Sequence, residues 1–202
     1  MNESIFDRSP SERFRHLFSV ISGPRFLKKL GLNNEVPFFI FPYRPEENNE
    51  MIRLQNQLVN KLEQKGIRIL EINLYDLAVE LLKQREIWEQ TREIEKTVSK
   101  NELKELLQGV LDTKTHIIPA IAARMAEAEF DVMFISGVGE VFPYIRSHNI
   151  LNNLQSTAKD KPTLMFFPGE YTHSLESGAS LNLFGIFHDG YYRAFNIFNC
   201  EP

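Results

Sequence analysis

The chain has 202 residues, enough for one domain with a substantial buried core. Hydrophobic residues make up 43% and charged residues 25%, an ordinary globular balance that excludes a disordered or low-complexity chain. The net charge of −4 gives no electrostatic basis for a dedicated nucleic-acid binder, so direct contact with nucleic acid is not expected.

Phe is abundant, at 16 residues, and predicts a core rich in aromatic packing. The single cysteine, Cys200, forms no internal disulfide and fits a reducing compartment. The first residues lack a basic start followed by an apolar run, so no signal peptide is read there. No apolar run approaches the roughly 20 residues of a membrane span. The expectation is a cytoplasmic protein without membrane contact, organised as one domain over 1–202 with an N-terminal helical segment over 1–34.

Ser9-Pro10-Ser11-Glu12 reads as an N-cap, a proline at the first helical position and a capping-box glutamate. The helix that follows carries Phe14, Leu17, Phe18 and Ile21 on one face and stops at Ser22-Gly23-Pro24. A short second helix is expected over Phe26–Leu30. The first strand, Val36 to Phe41, is apolar at consecutive positions, as in a parallel sheet covered on both faces. Met51, Leu54, Leu58 and Leu62 then repeat at helical spacing up to Gly66, and Ile67 to Ile72 reads as a strand. Strand, helix, strand at this length is a right-handed βαβ unit.

From Leu74 to about Gly109 the pattern is helical and charge-dense. Residues 83–110 read as a charged helical insertion, a long helix or a helical hairpin standing off the domain. Arg85, Arg92 and Lys96 are its candidate partner surface. Glu89–Glu93 and Arg92–Lys96 are like-charge pairs four apart, a local conflict that a protein contact would offset. A compact helix follows at Pro119, then a strand over Asp131–Ile135. A fourth strand is read over Thr163–Phe167. Strand patterns over Leu183–Phe187 and Tyr192–Ile197 flank Asp189-Gly190, a hairpin signal. The fold class is therefore α/β: a three-layer domain with a mainly parallel central sheet and a C-terminal antiparallel β-hairpin.

Three features bear on chemistry. Ser136, Gly137 and Gly139 lie in a turn expected to open a helix, where backbone donors and the helix dipole favour an anion or nucleotide. A dinucleotide fingerprint needs a third glycine, and Phe142 stands there instead. The loop Pro42 to Asn49 has neither glycine nor lysine, which excludes an active P-loop at that position. The second is a loop after the fourth strand. Its Glu170 and His173 are a candidate acid/base pair, with Tyr171 and Arg193 beside them; the simpler reading is a turn in which Glu170 pairs with Arg193. The third is the set of histidines, which is scattered and has no ligand spacing, so neither a metal nor another cofactor is expected. No catalytic residue is assigned.

Three stretches carry a resemblance. They are Gly31 through Tyr43, Phe167-Pro168-Gly169-Glu170-Tyr171, and Leu183-Phe184-Gly185 followed by Tyr191-Tyr192-Arg193-Ala194-Phe195. In series they resemble the BrxB family, the small component of BREX bacteriophage-exclusion systems. The resemblance implies a bacterial cytoplasmic protein encoded beside a methyltransferase, a large ATPase and an alkaline-phosphatase-like protein of the PglZ type. It implies no established enzymatic activity and supplies no catalytic residue. The expected function is a non-enzymatic adaptor that binds the PglZ-like protein, with other BREX components as further partners. The competing reading is a degenerate NTPase-like module holding a nucleotide or other anion near Gly137 and Gly139.

Overall fold

Apolar runs without alternation demand a sheet covered on both faces. The computed structural model, which describes residues 8–30, 35–174, 178–189 and 193–202, contains that sheet. Strands β1 (Phe38–Tyr43), β2 (Ile69–Asn73), β3 (Val132–Ser136), β4 (Thr163–Ser174) and β7 (Phe195–Asn196) lie in the spatial order β2-β3-β4-β1-β7, and every neighbouring pair is parallel. Phe38 stands opposite Thr163, and the register continues to Tyr43 opposite Pro168.

Successive residues of a strand face opposite layers. Phe39 and Phe41 face α1 (Pro10–Ile21), α2 (Pro24–Leu27) and α3 (Asn48–Gln64), packing with Leu17, Leu58 and Leu62. Phe38 and Ile40 face the other layer, which is built from α4 (Leu74–Gln84), α7 (Ile118–Glu127) and α8 (Ser147–Leu154). The abundance of Phe is explained here. Phe134, Phe166 and Phe41 run across three adjacent strands, edge to face, with ring centroids 5.5 Å apart at each step. Such pairs add roughly 0.5–1.5 kcal/mol each beyond their burial.

The expected capping box closes α1. The Ser9 side chain accepts from the Glu12 amide, and the Glu12 carboxylate accepts from Ser9 N at 2.8 Å. No helix among the described residues is long and apolar enough to cross a membrane.

The charged segment is two helices, α5 (Trp88–Glu95) and α6 (Lys100–Val110), rather than one long helix. It does not stand off. Trp88, Leu103, Leu106 and Val110 pack against the core and Leu107 is buried, because α6 carries a fuller apolar stripe than the segment's charge density suggests.

The turn after β3 does not open a helix. Residues 138–145 are turns and bends, and α8 starts only at Ser147. Pro143 explains this: it lacks the amide donor and restricts the residue before it.

The fourth strand does not end at Phe167. It continues to Ser174, so the expected loop is strand. Its second half pairs antiparallel with β5 (Gly178–Leu183), which pairs antiparallel with β6 (Phe187–Asp189). The antiparallel turn near the C-terminus is therefore at Phe184-Gly185-Ile186, where Phe184 and Gly185 both have positive φ, as mirror-image hairpin turns require. Gly190 of the expected Asp189-Gly190 turn lies outside the described residues. Phe195–Asn196 joins the main sheet parallel to β1.

Candidate functional site

The chain leaves β1 towards the α3 layer and returns from β2 through helices of the other layer. In open α/β sheets such a change of direction opens a crevice outside the carboxyl ends of the strands. A cleft of about 340 Å³ lies there. At the end of β1, the buried Tyr43 donates its hydroxyl hydrogen bond to Asn48 Oδ1 at 2.8 Å. Two turns along α3, Gln55 Nε2 donates to Glu71 Oε2 on β2 at 2.9 Å. The last residue of β2, Asn73, caps α4: its Oδ1 accepts from Tyr75 N at 2.9 Å and Asp76 N at 3.2 Å. Ser136 ends β3 and, with Gly137 just after it, completes the rim, with Met51 and Phe166 as an apolar floor.

The electrostatics are one-sided. Glu71, Asp76 and Glu140 line the cleft and are exposed. Arg124 is the cation among the lining residues, and it is paired with Glu80. The Tyr43 hydroxyl is pushed well above its usual acidity range, first by burial and then by the charge of Glu140. It stays protonated and acts as a donor. The lining offers carboxylate and amide oxygens, and among the described residues it includes no His, Cys or Lys that would serve as base or nucleophile.

The candidate residues from the sequence fall in different places. Ser136 and Gly137 line the cleft, and Gly139 does not. Gly137 has φ +74°, and a Cβ there would lie 2.4 Å from Asn73 Oδ1. A Cβ on Gly139 would lie 3.0 Å from Pro168 and 3.1 Å from the Phe184 ring. Both glycines thus have packing reasons to lack a side chain. The helix whose dipole would favour an anion is absent from this turn.

Glu170 and Tyr171 lie on the antiparallel half of β4, not in a loop. Tyr171 donates its hydroxyl to Ala194 O at 2.9 Å. Glu170 and Arg193 are exposed, and no ion pair joins them among the described residues. The His173 side chain lies outside the described residues, so the Glu170–His173 pair does too. Among the described residues no cluster of His, Cys, Asp or Glu has the form of a metal site.

In the charged segment, Arg85 donates to Val110 O at the end of α6. Arg92 pairs with Glu89 at 3.2 Å and Lys96 with Glu93 at 2.7 Å. The like-charge conflict expected there is offset by pairs three residues apart.

Sequence reasoning missed Glu71, Asp76 and Glu140 as a group. The available signal was positional: Tyr43, Asn73 and Ser136 each end a strand, where α/β folds gather ligand contacts.

Comparison with known proteins agrees with the resemblance. The family model described as "BREX protein BrxB" matches residues 70–197. A BREX protein BrxB of Bacillus cereus is 32% identical over 198 residues, covering 94% of this chain and 98% of the relative. A BREX protein BrxB of Escherichia coli is 31% identical over 186 residues, covering 92% of this chain and 90% of the relative. No solved structure matches. The chain therefore belongs to the BrxB family and is a component of BREX anti-phage defence.

Proposed function

We propose that this BrxB protein is a non-enzymatic, cytoplasmic adaptor that binds the PglZ-like protein of its defence system and works beside other BREX components. The supporting observation is the composition of the strand-end cleft. At the strand ends, where an α/β enzyme gathers reactive groups, several of this chain's lining residues have structural work. Asn73 caps α4, Gln55 holds Glu71, Tyr43 holds Asn48, and Gly137 fits against Asn73.

The second reading, a degenerate NTPase-like module near Gly137 and Gly139, draws on Ser136 and Gly137 lining that cleft. Its three carboxylates against one paired arginine oppose a polyphosphate. The test is affinity purification of the tagged chain from its native host, with identification of what co-purifies and an ATP-turnover assay on the same sample. Stoichiometric recovery of the PglZ-like protein supports the adaptor. Turnover that vanishes in Ser136→Ala, or recovery without any BREX component, overturns it.

A further inference from the structure

We infer that the cleft at the carboxyl ends of β1, β2 and β3 is a binding site for a guanidinium-bearing side chain presented by a partner polypeptide. The inference deepens the adaptor reading and rests on it for the identity of the partner. The cleft itself carries the assignment. It is concave, it lies where the strand order changes direction, and its polar groups converge from α3, β2, α4 and β3.

Its size narrows the occupant. A volume of about 340 Å³ is at the small end of the range of roughly 300–1,000 Å³ that ligand sites occupy. One long side chain fits that space better than a dinucleotide.

Its chemistry narrows the occupant further. The floor is apolar, formed by Met51 and Phe166, each 2% exposed, and Ile52 stands 47% exposed at the mouth. An aliphatic stem lies well on such a surface while its charged head reaches polar groups. The head meets a lining that carries the carboxylates of Glu71, Asp76 and Glu140 and the side-chain amides of α3. A planar guanidinium makes two-pronged contacts with carboxylates that an ammonium does not. The Glu71 carboxylate is already steadied by Gln55, which lowers the ordering cost of receiving a guest. Phosphate-bearing ligands face the same carboxylates as repulsion.

The experiment uses the full chain and two probes, a short peptide with one arginine and the same peptide with neutral citrulline in its place. Binding is followed through the NMR signals of Gln55, Asn73 and Gly137, with ATP as a third titrant. The variants are Glu71→Gln, Asp76→Asn and Glu140→Gln, singly and combined, after circular dichroism and melting confirm the fold. The arginine peptide is expected to shift the cleft signals and the citrulline peptide to leave them in place. Combining the three substitutions should weaken binding roughly tenfold or more at low salt, and less at high salt. Removing the competing cation with Arg124→Gln should strengthen it about two- to threefold.

Equal response to arginine and citrulline, no shift at the cleft, variants without effect, or a shift with ATP instead each overturns the inference. Failure here with the PglZ-like protein still co-purifying removes the cleft assignment and leaves the adaptor standing. A selective arginine response with no co-purifying partner removes the adaptor reading alone.

Discussion

Arg13 and Glu47 form a two-pronged ion pair, Nη1 to Oε2 at 2.7 Å and Nη2 to Oε1 at 2.9 Å, that ties α1 to the short turn before α3. Arg13 is 2% exposed, and its Nε has no hydrogen-bond partner among the described residues. A charge buried this deeply depends on its partner, so the pair fixes where α1 lies on the sheet.

Glu47→Ala leaves the guanidinium buried and uncompensated, and should cost about 3–5 kcal/mol in urea unfolding. Replacing both residues by apolar ones of similar volume should cost far less. The Glu47 carboxyl is held below its ordinary range by the Arg13 hydrogen bonds, against a smaller upward push from burial. A depressed folded-state pKa contributes stability above the unfolded value of about 4.3, which is lost as pH falls through the folded value. Stability of the parent chain should therefore fall more steeply below about pH 4 than that of Glu47→Gln. Parallel acid limbs in the two proteins contradict the pair's role.

Gly137 and Asn73 should show coupling. Gly137→Ala places a Cβ at φ +74°, which costs about 1–2 kcal/mol, and forces it onto the Asn73 Oδ1. Asn73→Ala loses the cap of α4, about 0.5–2 kcal/mol, and also removes the obstruction. The double variant should be less destabilised than the sum of the singles. Strict additivity in a thermal double-mutant cycle counts against this contact as the reason for the glycine.

The parallel strands were legible because runs such as Phe38 to Phe41 and Leu164 to Phe167 are apolar on both faces, which only a doubly covered sheet tolerates. The extension of β4 was not legible, because Pro168-Gly169 reads locally as a turn. In the fold, Pro168 sits opposite Tyr43 where the β1 pairing ends, and a Cβ on Gly169 would lie 2.1 Å from Asn182 O. The glycine marks a close strand approach rather than a turn. The cleft was half legible. Ser136 and Gly137 could be flagged from strand-end logic, but Glu71, Asp76 and Glu140 come together only through the β2–β3 pairing, a long-range fact that no local pattern encodes.

Tyr171→Phe tests how the end of the chain is held. The hydroxyl bonded to Ala194 O is the side-chain link from β4 to the segment that forms β7, and burial keeps the phenol protonated by raising its pKa. Losing it should cost about 0.5–1.5 kcal/mol and leave the Ala194 carbonyl without that donor. Amide exchange at Phe195 and Asn196 should accelerate more than exchange in β1. Uniform acceleration across the sheet indicates a global loss of stability instead.

The charged helices yield the most discriminating stability test, because their three candidate partner residues do different work. The Arg85 guanidinium donates to the Val110 carbonyl at the end of α6, where a cation also complements the helix dipole. Arg85→Glu should therefore destabilise the chain by roughly 1–2 kcal/mol with no partner present. Arg92 and Lys96 form exposed pairs with Glu89 and Glu93, with side chains 57% and 66% exposed. Such pairs contribute little, so Arg92→Glu with Lys96→Glu should change unfolding free energy by less than about 1 kcal/mol. Reversing all three would mix a folding defect with an interface defect. The Arg92→Glu/Lys96→Glu variant alone isolates the surface. If α5 contacts the PglZ-like protein, this variant should bind it several-fold more weakly at low salt, with the difference shrinking as salt rises. Unchanged affinity at both ionic strengths removes α5 from the interface, and a melting shift as large as that of Arg85→Glu shows that the exposed pairs are structural after all.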